Sequence, residues 1–185
     1  MFIDIYEMGI GFDLVEKIMR AIRVSSAAYN LDPAVVYGVC LMESHFNPAA
    51  VRFEPHYAYL FDPVRVRPVG CSLDTEISMQ KTSWGLMQVM GGVLRERGFD
   101  GWITMIVDDI PAQVEYGCRH LAKFIRQYGL EDGIGAYNAG SPRKSSDGKL
   151  VNQEYVDTVV AYAEAYRDIV APKVASEAVP KAPKV

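Results

Sequence analysis

The stretch that decides the reading is Val35-Val-Tyr-Gly-Val-Cys-Leu-Met-Glu-Ser-His-Phe-Asn-Pro48. Eight uncharged residues run into Glu43. Asn47-Pro48 then prevents simple continuation, because proline disfavours helical backbone at the residue before it. Upstream, Asp32-Pro33 offers an N-cap followed by proline at the first helical position, so a helix is predicted from Pro33 to about Glu43. Being apolar nearly all round, it belongs in the middle of the domain. Val36, Val39, Cys40 and Glu43 are spaced i, i+3, i+4 and i+7 and share one face of it. A surface glutamate is cheap and a buried one is not. Either Glu43 escapes to solvent at the helix end, or it points inward with its charged form disfavoured, as a group that must protonate a leaving oxygen requires. Spacing alone leaves both open.

Working outward, residues 12–29 carry Leu14, Ile18, Ile22 and Val24 among charges, the pattern of an amphipathic helix. Residues 51–82 differ in texture. Pro55, Pro63 and Pro68 punctuate short aromatic and β-branched pieces, which suits an irregular segment with a small β-hairpin rather than a long helix. Helical pattern returns from Gly85 through Met90, Val93 and Leu94 and ends at Gly98. Asp108, Asp109 and Pro111 open another helix, with Val114, Cys118, Leu121 and Ile125 on one face and Gly129 as its stop. A short buried helical turn and a loop are predicted over 132–142, and a last helix over 152–168 with Val156, Val159, Val160 and Ala163 inward. The expectation is a mainly α domain over residues 1–170. The Ala/Pro/Lys-rich tail 171–185 buries too little apolar surface to offset its chain entropy, and disorder is expected there.

Composition narrows the functional classes. With 185 residues, half of them hydrophobic and 23% charged, the chain suits one globular domain. A net charge of −4 argues against nucleic-acid binding, which needs a basic face. No apolar run is long enough to cross a bilayer. Cys40, Cys71 and Cys118 are odd in number and widely spaced, so they form no disulfide framework, and Cys40 and Cys118 read as small core residues. His45, His56 and His120 lie far apart and give no i, i+4 metal pair, so neither metal nor cofactor is expected.

The residues from Glu43 to Ala50, Glu-Ser-His-Phe-Asn-Pro-Ala-Ala, resemble the Glu-Ser-x-Phe-Asn-Pro-x-Ala motif of the soluble lytic transglycosylase domain, a member of the lysozyme-like superfamily. Gly85-Leu-Met-Gln-Val-Met90 is similar to that family's Gly-Leu-Met-Gln segment, and Ala136-Tyr-Asn-Ala-Gly140 to its Ala-Tyr-Asn-Ala-Gly loop. Glu154-Tyr155-Val156, followed by Val159, resembles its closing helix. The motifs occur in the family's order over roughly residues 12–168. The resemblance implies a lysozyme-like helical domain that cleaves the bond between N-acetylmuramic acid and N-acetylglucosamine in peptidoglycan, leaving 1,6-anhydro ends. It implies Glu43 as the lone catalytic acid and base. Ser44, Gln88, Met90, Tyr137, Asn138 and Tyr155 would line or approach the sugar site. For Met87, Met90 and Tyr155 taken singly, outside the motif context, plain core packing is the favoured reading.

One departure bears on the reaction. About thirty residues separate Asn47-Pro48 from Gly85, where the family usually has a short gap, and Lys81-Thr-Ser-Trp84 replaces its usual lead-in. This insertion carries Glu54, Asp62, Asp74 and Glu76. Any of them across the cleft could hold a water and turn the enzyme into a hydrolysing muramidase, as in goose-type lysozymes. Arg52 and His56 would contact peptide stems or tie the loop down. A non-catalytic glycan-binding module is the alternative from another class. The N-terminal residues have no basic leader or small-residue cleavage site. The expectation is therefore synthesis in the cytoplasm and delivery to the periplasmic cell wall by another route, as a bacteriophage lysis or virion component or with secretion-machine partners.

Overall fold

A computed structural model describes residue 5 and residues 8–176, the last nine of these by backbone alone. Eight α-helices and a three-stranded sheet make up the described chain, with a 3-10 turn at Ile103–Asp108. The central helix α2, Pro33–Ser44, begins where Asp32 accepts a hydrogen bond from the Ala34 amide at 2.8 Å. It is buried along almost its whole length and packs most extensively on α8, Gln153–Ser176. The contact is backbone to backbone at Gly38, where a β-carbon would stand 2.5 Å from the Val159 carbonyl oxygen. α2 ends because His45 and Phe46 both take left-handed backbone angles, φ 50° and 58°, turning the chain sharply and sending the Phe46 ring into the core against Tyr37. That turn leaves Glu43 in the helix's last turn.

α1, Phe12–Tyr29, packs on α6, Ile110–Tyr128, and α6 in turn on α7, Leu130–Ala139. The buried stripe of α1 runs through Val15, Ile18, Met19 and Ile22, whereas Val24 is exposed. Two residues beyond Ile22 lies about 200° further round the helix, which carries Val24 off the stripe. α6 starts as expected, with Asp109 accepting from the Ala112 amide. Residues 130–139 form ten residues of helix, longer than the single turn expected. α8 continues past residue 170 to Ser176, so the expected tail begins inside a helix, and residues 177–185 lie outside the described residues.

The segment from Gly85 is not helical until Gly91. Strands β1 (Val51–Phe53), β2 (Thr82–Trp84) and β3 (Val89–Met90) form an antiparallel sheet in that order, and residues 85–88 are the tight turn between β2 and β3. Gly85 has φ 72° and Gln88 φ 47°, conformations a helix cannot contain. A β-carbon at Gly85 would also overlap the Gln113 side chain, whose Oε1 accepts the Leu86 amide at 2.8 Å. The helix proper is α5, Gly91–Glu96.

The insertion holds two short helices in place of pure loop. α3, Pro63–Val66, is capped by Asp62, and α4, Leu73–Gln80, by the Ser72 hydroxyl, which accepts the Thr75 amide. Gln80 bonds both backbone groups of Phe61, and the Trp84 indole donates to the Met79 carbonyl. Beneath them Arg95 of α5 grips Glu76 with two bonds of 2.8 Å, both side chains wholly buried. The remaining guanidinium nitrogen donates to the carbonyls of Phe99 and Gly101. Burial raises the Glu76 carboxyl, but the bonds from Arg95 and Gln80 together with the Arg95 charge outweigh it and hold it below the ordinary glutamate range.

Candidate active site

Four elements converge on Glu43. α2 delivers the carboxyl from its last turn. α8 brings Tyr155, whose hydroxyl donates to Glu43 Oε1 at 2.7 Å. α7 ends with Tyr137 and Asn138 beside it. The Asn152 amide, just before α8, donates to Asn138 Oδ1 at 3.0 Å, which leaves the Asn138 amide nitrogen as the end of that side chain able to favour the Glu43 carboxylate. β1 contributes Arg52, whose Nε lies 2.7 Å from Glu54 Oε1. Burial raises the Glu43 carboxyl above the usual range. The Tyr155 bond, the Arg52 charge and the Asn138 bond each pull it back, and burial prevails. Glu43 is partly buried and opens onto a cleft of about 740 Å³. It is not frayed into solvent.

The sugar-site residues expected from sequence separate into those at the cleft and those behind it. Gln88, Met90, Tyr137 and Asn138 line it with Glu43. Gln88 is also a clamp, donating to the carbonyls of Ala50 and Gly85 and accepting from the Ser83 hydroxyl. Tyr137 donates to the Met87 carbonyl at 2.6 Å, not to Glu43, which fixes the hairpin turn against α7. Ser44 faces away from the cleft. It is buried, its hydroxyl bonded to the carbonyls of Leu86 (2.8 Å) and Cys40 (3.1 Å), and so ties the end of α2 to that same turn. Tyr155 stands behind Glu43, as its bond requires.

The four insertion acids divide as sharply. Glu54 lines the cleft. Asp62 caps α3, Asp74 is exposed in the first turn of α4, and Glu76 is consumed by Arg95. Other residues that reasoning along the chain passed over are His120, Phe124, Tyr57 and Tyr59, which all line the cleft. The His120 ring packs on Phe124 and Tyr137, and burial with the nearby Arg97 and Lys123 charges pushes it down to about 3, so it is neutral across the working range of pH. Gln113 also went unnoticed. Besides the Leu86 amide it holds the carbonyls of Pro48, Ile106 and Val107, binding the Glu43 turn and the hairpin into one unit. No motif marks these residues; only Pro48 and Leu86, which Gln113 joins, lay inside recognisable patterns.

Residues 20–159, which contain every residue of this site, match the family model of the transglycosylase SLT domain. No curated protein and no solved structure matches the chain.

Proposed function

The chain belongs to the transglycosylase SLT-domain family, whose members act on the peptidoglycan of the cell wall, and from that premise we propose that it is a lytic transglycosylase with Glu43 as its single acid and base. The observation that carries the reading is the Glu43 carboxyl itself. It is desolvated toward its neutral form, steadied by the Tyr155 hydroxyl at 2.7 Å, and open to a cleft large enough for sugars. A glycan-binding module has no use for such a group.

In the proposed reaction Glu43 gives its proton to the oxygen between N-acetylmuramic acid and N-acetylglucosamine. The C1–O bond breaks with its electron pair going to that oxygen, and the 2-acetamido carbonyl steadies the cationic centre, as in glycosidases that lack a protein nucleophile. Glu43, now a carboxylate, takes the proton of the muramyl 6-hydroxyl as that oxygen closes onto C1. The 1,6-anhydro end forms without water, and Glu43 is restored. Tyr155 and Asn138 support the carboxylate stage of this cycle and burial supports the acid stage, so Glu43 is poised between them.

The test is clearing of purified cell walls by the wild type and Glu43→Gln, with mass spectrometry of the released muropeptides. Clearing by the wild type alone, with anhydro ends, is the expected result. Equal clearing by both proteins would remove Glu43 from the chemistry. A second reading, a hydrolysing muramidase, is favoured by one observation, the presence of Glu54 on the cleft wall. Reducing ends in place of anhydro ends would select it.

A further inference from the structure

The insertion places one carboxylate at the cleft, and that carboxylate is not free. Glu54 Oε1 receives the Arg52 Nε at 2.7 Å, the two residues standing two apart on and just after β1. The strand is pinned on its other side by pairing of Arg52 with Ser83, and the Glu54 amide donates to the Lys81 carbonyl at 2.8 Å. The backbone of both residues is therefore fixed, and only side-chain rotation can separate them. Resting on the transglycosylase reading above, we propose that Arg52 is a positioning residue that keeps Glu54 from serving as a base for water, and thereby sets the ratio of anhydro to reducing products.

The chemistry follows from what each acceptor can take. After Glu43 has protonated the leaving oxygen, C1 accepts either the muramyl 6-oxygen or a water oxygen. The 6-hydroxyl gives its proton back to Glu43. A water needs a base placed to take its proton, and Glu54 is the insertion acid at the cleft. A carboxylate oxygen already holding a guanidinium N–H is a weaker and misdirected acceptor for a water proton. With Arg52 removed, Glu54 would take that proton, the hydroxide oxygen would bond to C1, and the sugar would leave with a reducing end. Glu54 would then return the proton to solvent or to Glu43.

The pair is partly exposed, with 65% and 40% of the two side chains accessible. Exposed pairs of this kind are worth little, so the latch biases the outcome by a modest factor and does not forbid hydrolysis. For Arg52→Met the expected result is a rise of roughly two- to fivefold in the ratio of reducing to anhydro muropeptides, as such a pair's strength allows. Arg52→Lys, which keeps a cation within reach of Glu54, should restore most of the wild-type ratio. Arg52→Met combined with Glu54→Gln should lose the rise in reducing ends, because the carboxylate that Arg52 restrains is gone while Glu96, which also lines the cleft, is unchanged. Exposure of the Arg52 side chain makes these variants safe for folding. An unchanged ratio in Arg52→Met, measured in a preparation whose clearing still depends on Glu43, would overturn the latch and leave the catalytic reading intact. Extra reducing ends in Arg52→Met that persist when Glu54→Gln is added would also overturn it, since Glu54 would then not be the base that Arg52 restrains. Clearing that is indifferent to Glu43→Gln would instead sink the reading on which the latch rests.

Discussion

Glu43 is held between two opposed demands. Its first step needs the proton, and its second needs the carboxylate. Glu43→Gln keeps an oxygen to accept from Tyr155 but carries no transferable proton, so turnover should fall by about 10²–10⁴, the usual worth of a positioned acid. The same variant should be more stable at neutral pH. A carboxyl raised by folding contributes its stability fully below its unfolded value and loses it as pH rises through the folded value. The gain in melting temperature from Gln should therefore be present at pH 7 and disappear below the ordinary carboxylate range, a comparison calorimetry can make at two pH values. Tyr155→Phe removes a donor that favours the ionised form. Glu43 should then hold its proton to higher pH, and the alkaline limb of the rate profile should move upward.

Among the elements, helices announced by caps were legible: Asp32-Pro33 opens α2 and Asp109 with Pro111 opens α6, both within a residue of expectation. The hairpin around residues 85–88 was not legible, because Leu86, Met87 and Met90 have helical spacing while Gly85 and Gln88 are held in left-handed backbone by tertiary bonds. α3 and α4 did carry signals, Asp62-Pro63 and Ser72 three residues before Thr75, but the prolines around them read as loop. What secures α4 to the domain is the Glu76–Arg95 pair, and no spacing rule joins residues nineteen apart. Glu76→Gln strands a buried guanidinium, and a loss of roughly 3–5 kcal/mol is expected in denaturant unfolding. Because folding lowers this carboxyl, its contribution is present above the ordinary glutamate range and lost as pH falls through the folded value. Acid should thus loosen the insertion in the wild type, and hydrogen exchange over residues 73–80 would report it.

For the molecule as a whole, the site depends on how closely α2 and α8 approach, since one carries Glu43 and the other Tyr155. Gly38→Ala drives a methyl group into the Val159 carbonyl. Overpacking of this kind costs roughly 1–3 kcal/mol, and the melting temperature should drop by about 2–4 °C for each kcal/mol in a chain of this size. Activity should fall along with it, as the phenol moves away from the acid. The acid, the two tyrosines and Asn138 could be named from sequence because each sits inside a short motif. Arg52 was visible as a residue, but its partnership with Glu54 at the cleft was not, and Gln113, His120 and Phe124 matter only through chain segments brought together from far apart.

The buried grip of Arg95 on Glu76 also limits how this domain can be re-engineered. Trimming residues 54–81 to a tight bend, so as to imitate relatives with a short gap, would strip a guanidinium of its counter-charge in a dry interior while its two carbonyl partners remained. Such a deletion would have to replace the arginine by an apolar side chain in the same step. The added segment and the helix below it can only be exchanged as one piece.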